Sequence, residues 1–176
     1  MGVVELDRAR VAPLSMISPS VRRARAADLP ALARLINRAY AVEADVFDGE
    51  RVRVDELSAL AVDGHFLVLE RADGELAAAV YVALGGAHAR LELLAVAPEL
   101  QRLGLGRRLV ALAEALAAAL GCHAVDLAIV NLRTELLPWY RSQGYREVGT
   151  AAIDDRATRR PCHRLLLTKP LVAAAN

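Results

Sequence analysis

The stretch L-E-L-L-A-V-A-P-E-L-Q-R-L-G-L-G-R-R-L-V, from Leu91 to Val110, constrains the fold more than any other part of this sequence. It predicts a strand from about Arg90 to Val96, stopped by Pro98, then a glycine turn, then a helix in which Leu105, Leu109, Leu112, Leu116 and Leu120 recur at helical steps. The expectation is a helix that packs one leucine face. A helix entered from such a turn presents unpaired backbone N–H groups and the positive end of its dipole, which together favour an anion. Gly104 and Gly106 remove side chains that would hinder close approach. The candidate anion cradle is therefore Gln101, Arg102, Leu103, Gly104, Leu105, Gly106 and Arg107.

The elements around this unit can be read from punctuation and periodicity. Residues 1–19 mix Arg, Asp, Pro and Ser without sustained periodicity and read as a flexible tail, with Met16 an alternative start of translation; residues 20–176 read as a single domain. A short strand near Val21 to Arg25 precedes Asp28, an N-cap candidate, and a helix to about Tyr40. A second helix is expected at Asp55 to Val62, followed by strands at His65 to Glu70 and Glu75 to Leu84, joined at Asp73 and Gly74. After the leucine helix, His123 to Val130 returns as an apolar strand, a βαβ-like crossover within a sheet. A helix from about Thr134 to Gln143 and strands near Tyr145 to Thr150 and Cys162 to Thr168 complete the pattern, with polar loop from Asp154 to Pro161.

Composition narrows the classes of function. At 176 residues and 55% hydrophobic content, the chain supports one well-buried core. Its 22 basic and 21 acidic residues nearly cancel, which removes the electrostatic argument for nucleic acid or an anionic membrane as partner. Cys122 and Cys162 lack paired spacing and read as free, buried thiols; no metal site is expected. His65, His88, His123 and His163 are scattered and read as structural. With no apolar run of membrane-spanning length and no secretory leader pattern, a cytoplasmic protein is expected.

Two common glycine-rich nucleotide sites fail on this sequence. A phosphate loop of the Walker type needs Gly-Lys-Ser/Thr after its spacer, and a dinucleotide fold needs its glycines after the first strand. Here the turn follows the fourth strand. At this point the chain resembles the GNAT superfamily of N-acetyltransferases, whose signature Q/R-x-x-G-x-G/A is matched by Gln101 to Gly106. The resemblance extends to L-A-V-A-P at Leu94 to Pro98 and to N-L-R-T-E-L-L-P-W-Y-R-S-Q-G-Y at Asn131 to Tyr145. It implies an α+β fold: a central twisted mixed sheet of about six to seven strands flanked by about four helices.

The same resemblance implies that the turn holds the pyrophosphate of acetyl-CoA, with Arg102 and Arg107 either adding charge or standing as a solvated helix start. It implies a bulge at Leu94, Ala95 and Val96 that splays this strand from the one ending at Val130. Pantetheine would lie in the gap on main-chain groups of Leu94 and Val96, and an N–H there would polarise the thioester. Tyr140 resembles the family tyrosine that protonates the coenzyme A sulfur, the alternative being a core aromatic beside Trp139. Asn131 reads either as a pantetheine contact or as a helix cap, and its spacing from Tyr140, with Pro138 between, departs from the common family pattern. Glu92 stands where several members carry a general base; its other reading is a half-exposed strand residue.

The acceptor is expected near Tyr40, Glu43 and Phe47, between the first two helices, where Asp45, Asp48 and Glu50 add acidity that attracts a cationic amine or merely faces solvent beside Arg51 and Arg53. The resemblance implies transfer of an acetyl group to a primary amine, on a small molecule, peptide or protein, by direct attack in a ternary complex; relatives commonly form homodimers. The rival readings are a sensor that binds acyl-CoA without turnover and an enzyme using a longer acyl donor.

Overall fold

The computed structural model describes residues 17–171. Seven strands form one sheet: β1 (Ile17–Arg23), β2 (Gly64–Arg71), β3 (Leu76–Gly85), β4 (His88–Val96), β5 (Ala124–Val130), β6 (Arg146–Ala151) and β7 (Arg164–Pro170). Their spatial order is β1-β2-β3-β4-β5-β7-β6. Every neighbouring pair is antiparallel except β4 and β5. The helices are α1 (Leu29–Tyr40), α2 (Val54–Asp63), α3 (Leu105–Ala119) and α4 (Leu136–Arg141). This is the mixed sheet with four helices that the sequence implies. β1 begins at Ile17, inside the stretch read as tail, while residues 1–16, including Met16, lie outside the described residues.

β3 forms the centre of the core because Leu76 to Val82 are buried at seven successive positions, so both faces of the sheet are covered there. Helices α1 and α3 both pack against β3 and β4. In α3 the buried residues are Leu105, Leu109, Val110, Ala113 and Ala117, whereas Leu112 and Leu120 are exposed. The single leucine face is thus corrected: the buried arc is centred on the small Ala113, which lets the helix sit close to the sheet, and the leucines at its margin turn outward. Two further corrections are local. α4 spans six residues and is shorter than expected, with Pro138 tolerated near its start, where an N–H has no helical acceptor. Cys122 is buried as expected, but Cys162 is only partly so.

Two backbone features shape the centre of the sheet. Tyr81 on β3 pairs with Glu92 while Ala79 pairs with Ala95, so β4 carries one extra residue between them. Leu93 takes up that extra length in a left-handed conformation, φ 53°, uncommon for a residue with a side chain. The bulge therefore takes in Leu93 and Leu94, overlapping the expected Leu94 to Val96 at Leu94 and starting one residue earlier. Beside it, parallel pairing of β4 with β5 runs only from His88↔Ala124 to Leu91↔Leu127, and the strands part beyond.

Candidate active site

The parting of β4 from β5 opens a cleft of about 1430 Å³ that reaches from the glycine turn to the loop after α1. Ala97 donates its N–H to the Ala77 carbonyl on β3 at 2.9 Å. By the alternation of a strand, the main-chain groups of Val96 and Leu94 then face the gap. The Val96 carbonyl accepts from Gln101 Nε2 at 3.3 Å, so the Gln101 side chain braces the turn. Ala95 faces the other way, buried and paired with Ala79. Among the residues expected here, Leu94, Val96, Gln101, Arg102, Gly104, Leu105, Gly106 and Arg107 line the cleft. Leu103 does not; it is partly buried against the core.

The turn itself offers unpaired backbone donors. Gly104, at φ 81°, is the N-cap of α3, and the first bond into the helix runs from the Arg108 N–H to the Gly104 carbonyl at 3.0 Å. Leu105, Gly106 and Arg107 consequently have N–H groups without helical acceptors. The first turn of α3 has no acidic residue. Arg102, Arg107 and Arg108 surround it, exposed, and no carboxylate pairs with them among the described residues. Three cations at the positive end of a helix dipole are mutually unfavourable until an anion joins them. Gly106 lines the cleft, and an added Cβ there would meet Trp139 and Val96 at 3.6 Å, ordinary contact distance.

Tyr140 on α4 lines the cleft and is 7% exposed. Its ring is fixed edge-on between Trp139, 4.7 Å away between centroids, and Tyr145, 5.5 Å away. Burial pushes its phenol above the ordinary value near 10, Tyr40 adds to the shift, and Arg133 opposes it. The hydroxyl is therefore neutral and keeps its proton as a donor. Glu92 lines the cleft too, but its carboxylate pairs with Arg90 on the same strand. Asn131 lies outside the lining residues, and its Oδ1 accepts the His163 N–H at 2.9 Å, tying the end of β5 to the entry of β7. That bond uses the carbonyl oxygen and does not cap α4, whose N-cap is Glu135. His88 hydrogen-bonds Asp126 at 2.7 Å near the closed end of the splay.

At the other end of the cleft stand Tyr40, Glu43 and Phe47, together as expected, but the acidity around them is neutralised. Glu43, 6% exposed, pairs with Arg133 at 3.0 Å; Asp45 pairs with Arg160 at 2.6 Å and Asp48 with Arg159 at 2.7 Å. A β-bridge between Phe47 and Thr158 fastens this loop to the one between β6 and β7. The loop from Asp154 to Pro161 is thus part of the cleft wall, which its polar composition did not reveal. Arg51 and Arg156, which belong to no sequence motif, join the lining, as does Arg133 from the stretch that begins at Asn131.

The sequence model for the acetyltransferase (GNAT) family matches residues 29–145, which include α1, the bulged strand, the glycine turn and Tyr140. The chain belongs to the GNAT family. This GNAT protein has an acetyltransferase domain, and its fold recurs in many solved structures. The ribosomal-protein-S18-alanine N-acetyltransferase of Escherichia coli is 19% identical with a TM-score of 0.72, over 89% of this chain and 96% of that one. The ribosomal-protein-alanine N-acetyltransferase of Brucella melitensis is 24% identical, TM-score 0.72, over 86% and 99%. A phosphinothricin acetyltransferase of Sinorhizobium meliloti, solved in complex with AcCoA, is 16% identical, TM-score 0.71, over 86% and 88%. At these identities the likeness is one of fold. Comparison with curated protein sequences gives no significant match.

Proposed function

We propose that this acetyltransferase carries acetyl-CoA in the splay between β4 and β5 and transfers the acetyl group directly to a primary amine entering from the Tyr40 and Phe47 end. The observation that carries the reading is the arginine-flanked start of α3, without an acid in its first turn, beside a strand pair forced apart at Leu93. The pyrophosphate would rest on the N–H groups of Leu105, Gly106 and Arg107, with Arg102 and Arg107 at its flanks. The pantetheine amides would meet the main chain of Leu94 and Val96.

Acetyl-CoA supplies an activated acyl carbon and a thiolate leaving group. The chain supplies the rest. A main-chain N–H of the bulged segment polarises the carbonyl, preorganised because the bulge already holds it out of the β-ladder. Tyr140, neutral and buried, gives its proton to the departing sulfur. Glu92 is the candidate base for the attacking amine, directly or through water, once its carboxylate is shared between Arg90 and the cleft. The thiols of Cys122 and Cys162 suit a reducing compartment, consistent with action in the cytoplasm. No helix among the described residues is long and apolar enough to cross a membrane.

The test is release of free thiol from acetyl-CoA against a panel of amines and short peptides. The expected result is acceptor-dependent release, with Tyr140→Phe lowering kcat by about 100-fold or more while acetyl-CoA affinity holds. Tight acetyl-CoA binding with no release for any amine, and no effect of Tyr140→Phe, would replace the enzyme with an acyl-CoA sensor.

A further inference from the structure

The acceptor end of the cleft holds more positive charge than its own carboxylates neutralise. Glu43 and Glu135 are both engaged by Arg133, and Asp155 by Arg164. Arg51 and Arg156 also line the cleft, and neither pairs with a carboxylate among the described residues. Each guanidinium instead lies over an aromatic ring, Arg51 over Tyr40 at 5.0 Å and Arg156 over Phe47 at 4.2 Å. The ring contacts hold both guanidiniums at the cleft wall; Arg156 Nη2 donates to the Asp48 carbonyl at 3.2 Å, and its other N–H groups are left for a ligand. The Nε of Arg51 is shut off from solvent and has no hydrogen-bond partner. A buried donor left unmade in this way calls for an explanation.

The two arginines line the same cleft and feel each other's charge. Burial lowers Arg156 below the ordinary guanidinium value, and the charge of Arg51 lowers it further, against the opposing pull of Glu43 and Asp155. Two like charges lining one cleft within reach of each other's field are stabilised by a shared anion, and a planar carboxylate matches the guanidinium fork. Their position fits the reaction as well. Arg51 stacks on Tyr40, and Tyr40 lies near enough to Tyr140 to raise its phenol, so an anion on the arginines would sit close to the group that protonates the sulfur.

We propose that the acceptor is a small amine that also bears a carboxylate, an amino acid in chemical class, and that Arg51 and Arg156 bind the carboxylate while the amine faces the thioester. The proposal rests on the acetyl-transfer reading and sharpens it. It sets a carboxylate contact in place of the attraction for a cationic amine that was one reading of the acidic loop, because Arg133, Arg160 and Arg159 pair with Glu43, Asp45 and Asp48.

The experiment compares the amino acids with their carboxamides, and with spermidine, as acceptors of acetyl-CoA. Calorimetry of the same compounds against the protein saturated with coenzyme A reads the preference independently of turnover. Acids should exceed their amides in kcat/KM and in affinity by about ten-fold or more, as expected of a charge-assisted bidentate contact. Arg51→Gln and, separately, Arg156→Gln should bring that ratio toward one; the second variant guards against a folding defect in the first. Preference for amides or spermidine, or an acid preference that survives both substitutions, would overturn the proposal. So would a preference for succinyl-CoA over acetyl-CoA that Arg51→Gln abolishes, since the arginines would then serve the donor. If coenzyme A binds and no acceptor releases thiol, the acetyl-transfer reading fails, yet the calorimetric acid-to-amide ratio still decides the arginine pair.

Discussion

Tyr140, the proposed proton donor, shows how surroundings set the protonation state of a single residue. A phenol at the surface would begin to ionise near pH 10, but burial between Trp139 and Tyr145 pushes this one higher. The sign follows directly: the folded protein holds the protonated form through the range in which an exposed tyrosine loses its proton, so the donor persists as pH rises. The pH profile of kcat/KM should accordingly climb as the amine and the base deprotonate and show no alkaline decline up to about pH 10, the ordinary tyrosine value. Steady-state rates across that range check this, and a descending limb centred below pH 9 that disappears in Tyr140→Phe would contradict it. At this scale the family resemblance pointed to Tyr140 as the candidate donor, through its place in the N-L-R-T-E-L-L-P-W-Y-R-S-Q-G-Y succession, but not to the state of its proton. Nor did it disclose that Asn131 spends its side-chain oxygen on the His163 N–H, since that partner is 32 residues away.

Among the elements, α3 illustrates where pattern reading reaches its limit. Leucines at three- and four-residue steps fix that there is a helix and roughly which side is apolar. They do not fix the centre of the buried arc when alanines share the face, because alanine is as much at home at a close helix-to-sheet contact as at the surface. Ala113 and Ala117 are fully buried and Leu112 is 39% exposed. Enlarging the small contact, Ala113→Leu, should therefore destabilise by about 1–3 kcal/mol, while trimming Leu112→Ala should cost less than about 1 kcal/mol. Urea denaturation of the two variants measures both. A larger loss for Leu112→Ala would mean that the helix is rotated from the arrangement described. The bulge in β4 belongs to the same scale: its existence was implied by family resemblance, but its position at Leu93 and Leu94 depends on the register with β3, which a single strand's sequence does not contain.

For the molecule as a whole, the order of strands explains why the cleft lies where it does. Among the described residues β4 and β5 are the only parallel neighbours, joined by α3 as a crossover, and a bulge on one of them opens the sheet between two halves that are each secured by antiparallel pairing. The strands and the glycine turn were legible because each rests on local periodicity or punctuation, and the fold class followed from the family resemblance that those motifs carry. The acceptor wall was not, because it is assembled from loops that meet only in three dimensions, Phe47 with Thr158 and Asp48 with Arg159. The account depends most on the glycine turn of α3 being the donor's phosphate site. Gly106→Glu tests it cleanly, since Gly106 has no left-handed φ and space exists for a Cβ, so the substitution places a carboxylate in the cradle without straining the backbone. Calorimetric titration with coenzyme A should give one site in the parent chain and at least a 100-fold loss of affinity in Gly106→Glu, roughly the ~3 kcal/mol of a charge-assisted contact turned to repulsion, at an unchanged melting temperature. An unaltered affinity in the folded variant would contradict the account.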